Sequence, residues 1–109
     1  MAQHEFGIMD RAPAHGERYD AYEPWKYRCI AVDDDLIEPL LPRLASVKFF
    51  WHSVDMPGKG LAYCGVTLIP PESIDGMMQA MDGSPQLRAL EELLSEARNK
   101  NKYVIHFGI

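Results

Sequence analysis

Seven side chains have the types needed to hold a ligand or move a proton: Arg28, Lys48, Phe50, His52, Tyr63, Thr67 and His106. Arg28 and Lys48 would meet an anion, Phe50 and Tyr63 offer flat faces, and the two imidazoles change charge near neutral pH. Other stretches invite chemistry as well. His52 and His106 suggest a shared metal or an acid–base pair, Cys64 a nucleophile, Asp33-Asp34-Asp35 a hard cation, and Pro57-Gly58-Lys59-Gly60 an anion-binding turn.

Each of these has a plainer reading. The three aspartates lack the glycine and distal glutamate of a calcium loop. They suit a helix start, with Asp35 and Glu38 at capping-box spacing. The glycine loop lacks the GxxxxGK[ST] pattern and runs into a strand, so it reads as a hairpin turn. Cys64 sits in an apolar run, away from the electropositive setting a reactive thiol needs. Both Cys29 and Cys64 are expected to be free, buried thiols in a reducing compartment. No metal and no cofactor is expected.

The elements that must position these residues follow from periodicity and punctuation. Trp25–Val32 predicts a first strand, and Leu36–Leu44 a helix interrupted by Pro39 and Pro42. Val47–Val54 and Leu61–Ile69 form a hairpin around the loop 55–60. Pro70-Pro71 stops that strand and opens a helix striped by Ile74, Met77, Met78 and Met81. Leu87, Leu90, Leu93, Leu94 and Ala97 mark the next helix, and Tyr103–Phe107 the last strand.

The order β-α-β-β-α-α-β predicts an α+β fold of the ferredoxin-like, split βαβ kind. Its four-stranded antiparallel sheet would run four-one-three-two, with the helices on one face. Residues 1–24, rich in Glu, Asp, Arg, Gly and Pro, read as an irregular N-terminal arm, and residues 25–109 as a single α+β domain. His4-Glu5-Phe6-Gly7-Ile8 echoes His106-Phe107-Gly108-Ile109. The match is short enough for chance.

Period-two alternation then sorts the strand residues. The more apolar set goes to the helices: Tyr27, Cys29, Ala31, Phe49, Trp51, Ala62, Cys64, Val66, Leu68, Ile105 and Phe107. Arg28, Ile30, Lys48, Phe50, His52, Tyr63, Thr67 and His106 fall on the open face, which makes that face the candidate ligand or interface surface. In this strand order His52 and His106 lie on opposite edges, roughly 14 Å apart. They cannot share a metal within one subunit.

A net charge of −5 over 109 residues disfavours nucleic acid and anionic membranes, and no apolar run approaches a membrane span. RNA binding on the sheet would need basic, aromatic strands of the RNP kind, which are absent. The function expected is a small cytoplasmic binding or protein-interaction module, a homodimer joined through its open sheet face or strand edges. The alternative is a small enzyme or small-molecule-binding domain with a pocket between the sheet face and the arm, using His52, Tyr63, Arg28 and His106.

Overall fold

The computed structural model describes residues 2–109, an α+β chain built on one six-stranded antiparallel sheet. Its strands are β1 (Gln3–Ile8), β2 (Ile30–Asp33), β3 (Lys48–Trp51), β4 (Pro57–Lys59), β5 (Val66–Ile69) and β6 (Val104–Phe107), in the order β2-β1-β6-β5-β3-β4. Two strands beyond the expected four are one cause of the difference from the ferredoxin-like plan. One is β1, inside the segment read as an irregular arm, and the other is β4, inside the loop read as a turn.

β1 forms because His4, Phe6 and Ile8 alternate with Glu5 and Gly7, a period-two pattern with an apolar face. It enters between β2 and β6, pairing Phe6 with Ile30 on one side and with His106 on the other. The last strand therefore lies inside the sheet and not at an edge. A second cause acts at the end of β5. Helices α3 (Ile74–Met81) and α4 (Arg88–Asn99) run out and back, so the chain re-enters at the end it left. Ile69 pairs with Val104, which makes β5 and β6 antiparallel neighbours instead of strands joined by a crossover.

Pro57-Gly58-Lys59 pairs back on Lys48–Phe50 as an edge strand. The Trp51 ring lies flat on Gly58, where an added Cβ would come within 2.5 Å of it, and the indole N–H donates to the Gly60 carbonyl at 2.9 Å. The glycines of this loop make room for a tryptophan. They do not form an anion cradle.

The proline-broken helix of the sequence is α1 (Asp34–Ile37), a 3-10 turn at Glu38–Leu40 and α2 (Leu41–Leu44). Asp33, and not Asp35, caps it, accepting the Asp35 N–H at 3.0 Å. These helices, with α3 and α4, bury Ile37, Leu44, Met77, Leu90 and Leu94 against Phe6, Phe49, Ile69 and Val104 on one face of the sheet.

The other face is covered too. Residues 9–29 cross it and pack Tyr19, Tyr27 and Cys29 on Val66, Leu68, Ile105 and Phe107, with Phe50 at the margin. Gly7 permits this close approach, since a Cβ there would sit 2.7 Å from Cys29 Sγ and from the Tyr27 carbonyl oxygen. Gly7→Ala is expected to lower stability by roughly 1–3 kcal/mol through overpacking, read as a lower urea midpoint at unchanged slope.

Candidate functional site

Three of the seven sequence candidates, Tyr63, Thr67 and His106, come together in one hydrogen-bonded chain with His4 and Asp34. His106 on β6 and Thr67 on β5 face the helices, one residue out of phase with the open-face expectation, while Val66, Leu68, Ile105 and Phe107 take the arm side. His106 is central and wholly buried, beside an equally buried His4 on β1. Their rings stack with centroids 5.1 Å apart.

Proton directions follow from the partners. His4 Nε2–H donates to Asp34 Oδ1 at 2.9 Å, which leaves the neutral ring's Nδ1 as acceptor. His106 Nε2–H fills it, also at 2.9 Å. His106 Nδ1 then accepts from the Thr67 hydroxyl at 3.1 Å, whose oxygen accepts the Ala62 N–H at 2.8 Å. The Tyr63 hydroxyl donates to Asp34 at 2.8 Å and closes the outer end. Every polar atom of the chain has a partner in this arrangement.

Burial above all pushes His106 down to about 3, which keeps its ring neutral. The His4 and Tyr63 hydrogen bonds hold the Asp34 carboxyl below its ordinary value, and Asp34 in turn raises the Tyr63 phenol to about 12. This order of groups resembles a nucleophile relay, but Thr67 and both histidines have no exposed surface and line none of the clefts described below. The relay clamps β1, β5, β6 and the start of α1 together; its wet end is Asp34, whose side chain is 15% exposed, with the partly exposed Tyr63.

The other candidates scatter. Lys48 is exposed on β3, and Phe50 is half-buried under the arm. His52 follows β3 with φ of +65°, its ring over Gly65, where a Cβ would come within 2.7 Å of Nε2. Its Nδ1 stands 3.0 Å from Asp20 Oδ1 without the alignment of a hydrogen bond. Cys64 is exposed, contrary to the expected burial, whereas Cys29 is half-buried against the sheet, and that burial raises its thiol to about 12 and keeps it protonated. No group of three or more His, Cys, Asp or Glu suited to a metal ion occurs among the described residues.

A cleft of about 360 Å³ opens between the arm and the sheet. Its floor is Ile105 and Phe107, with Tyr19 and Tyr27 from the arm. Three ion pairs stand on its walls: Arg11–Glu17 at 3.4 Å, Arg18–Asp20 at 2.8 Å and Lys26–Glu23 at 2.9 Å. None of the sequence candidates lines it, though His52 touches its Asp20 wall.

The arm is fastened over this cleft at the β3–β4 turn. Tyr19 N–H donates to the His52 carbonyl at 2.7 Å, and Asp55 accepts from the Gly16 N–H at 2.6 Å and from His15. Those partners keep the Asp55 carboxyl below its ordinary value, His15 most of all. Arg28 opens onto a neighbouring cleft of about 480 Å³, which shares Asp10, Lys26 and Tyr27 with the first.

No protein family, curated protein or solved structure matches the chain. No helix among the described residues is long and apolar enough to cross a membrane.

Proposed function

We propose that this chain is a small-molecule-binding domain whose site is the cleft between the N-terminal arm and the sheet. The observation that carries the reading is the position of residues 9–29, which lie along the sheet face yet leave a hollow of about 360 Å³ floored by Ile105, Phe107, Tyr19 and Tyr27. That volume is at the lower end of the range for small-ligand sites, and the apolar floor is ringed by charged side chains, seven of the thirteen residues that line the cleft. The walls present cations and carboxylates together, which suits a ligand with a flat apolar body and ionised groups of both signs, such as an aromatic zwitterion.

Binding is favoured over turnover because no His, Cys, Ser or Thr lines the cleft, and its cations are engaged by acidic neighbours. A dimer formed through the sheet face would first have to displace Tyr19, Tyr27 and Cys29 from the apolar surface they cover.

Titrating the isotope-labelled protein with aromatic zwitterions and other small aromatic fragments tests the reading. Amide shifts are expected to cluster at Ile105, Phe107, Tyr19 and Tyr27. Ala21→Trp, which fills the cleft from its wall, should abolish them. Shifts spread over the surface, or none at about 1 mM ligand, a weak-binding ceiling, would sink the proposal.

A further inference from the structure

The two edges of the sheet are finished differently. β4 carries Pro57 and Lys59 within three residues, both of which discourage another strand from pairing there. β2, Ile30–Asp33, has no proline and no lysine. The Asp34 N–H donates to the Ala2 carbonyl at 3.0 Å, which fixes the phase of the β1–β2 ladder. Residues 30, 32 and 34 bond to β1, so Ala31 and Asp33 turn their N–H and C=O groups outward. The Ala31 side chain is small and exposed, leaving that edge open.

Two large aromatics stand one strand in from that edge, over β1. Tyr22 bonds Glu5, the β1 partner of Ala31, and meets Phe107 edge-on. Trp25 packs edge-to-face on Tyr22, and the two are 70% and 58% exposed respectively. Exposed tryptophan and tyrosine next to an open strand are the residue types that anchor interfaces.

Charge identifies the occupant. Arg28, just before β2, makes no ion pair among the described residues, whereas the other cations of the cleft it opens onto, Lys26, Lys100 and Lys102, are paired with Glu23, Glu96 and Asp10. Just after β2 come Asp33, Asp34 and Asp35, and the exposed Asp35 carboxylate has no cationic partner among the described residues. Arg28 makes the first end of the strand basic and Asp35 makes the second acidic.

We propose that a second copy of this chain pairs antiparallel along β2, about a two-fold axis near Ala31 and Val32, joining two six-stranded sheets into one. In that arrangement residues 28–29 of each copy fall opposite residues 33–35 of the other, so the basic and acidic ends meet twice. A parallel arrangement would set like charges together. None of residues 28–35 lines the arm–sheet cleft, and the pairing stands whether or not that cleft binds a ligand.

Sedimentation equilibrium on the full chain tests it, with a dimer expected at micromolar concentration. Ala31→Pro removes one outward N–H per copy and leaves the β1 ladder intact, so dissociation should strengthen by roughly ten- to hundredfold while the urea midpoint of the monomer holds. Arg28→Asp alone and Asp35→Arg alone should each weaken the dimer by about five- to tenfold, and the double reversal should restore it. The left-handed backbone at Arg28 (φ +50°) accepts aspartate readily, and rescue by the double variant is not a result that misfolding would give. A wild-type monomer at about 200 µM would overturn the proposal, as would a dimer indifferent to these changes.

Discussion

His106→Leu is expected to lower the stability of the fold by roughly 2–5 kcal/mol, the largest single-residue effect anticipated here. The imidazole bonds through both nitrogens, to His4 Nδ1 at 2.9 Å and to Thr67 at 3.1 Å, and all three side chains are wholly buried. Leucine fills the space and orphans both partners, and a buried polar atom left unpaired costs about 1–3 kcal/mol. Replacing a whole polar network by apolar groups can be neutral, but removing its middle member cannot. Thr67→Val should therefore be less harmful in the His106→Leu background than in wild type, with a coupling of roughly 0.5–3 kcal/mol. Urea denaturation reads both quantities. A His106→Leu midpoint equal to wild type would mean that the relay contributes nothing to stability.

That relay was partly legible in the sequence, and its missing half shows why reading stopped short. Tyr63, Thr67 and His106 stood out as polar residues on strands. His4 did not, because β1 is followed by a stretch dense in charge, proline and glycine that made the whole N-terminus read as irregular. The usable signal was the echo between residues 4–8 and residues 106–109. The two segments are neighbours in the sheet, with Glu5 opposite Phe107 and Phe6 opposite His106.

The error of face has a different cause. Alternation separates a core side from a wet side only when one side is wet. All four residues of β5 and of β6 are buried, because helices cover one face and residues 9–29 the other. Giving the more apolar set to the helices then misassigned both strands by one residue. On β3, where Lys48 stays exposed, the rule placed Phe49 under the helices and Phe50 on the far side, as observed. The α+β class survived because it rests on element types. The four-strand topology failed because it rests on counting every strand, and one of the two that were missed, β4, consists of proline, glycine and lysine, residues depleted from strands in general.

Acid should destabilise this protein well before its carboxylates protonate, and His106 is the reason. In the folded chain burial holds its pKa at about 3. In the unfolded chain the ordinary value of about 6.5 applies. Below that value the unfolded state takes up a proton that the folded state refuses. Stability present above pH 6.5 is therefore lost as pH falls toward 3, at no more than about 1.4 kcal/mol per pH unit and about 5 kcal/mol in total. Asp34 acts in the same direction over a lower window, since its carboxyl is held below the ordinary range by His4 and Tyr63 and its contribution fades as pH falls through that range. The two are separable by unfolding measurements at pH 7, 6, 5 and 4. His106→Leu removes the titrating ring, so its loss of stability between pH 6.5 and 5 should be shallower than wild type, and the gap between the two proteins should narrow by about 2 kcal/mol over that interval. Parallel pH profiles for the two would show that His106 charges as readily in the folded state as in the unfolded one. A desolvated ring that keeps its proton load fixed should also show imidazole resonances that do not shift down to pH 4, and that measurement needs no variant at all.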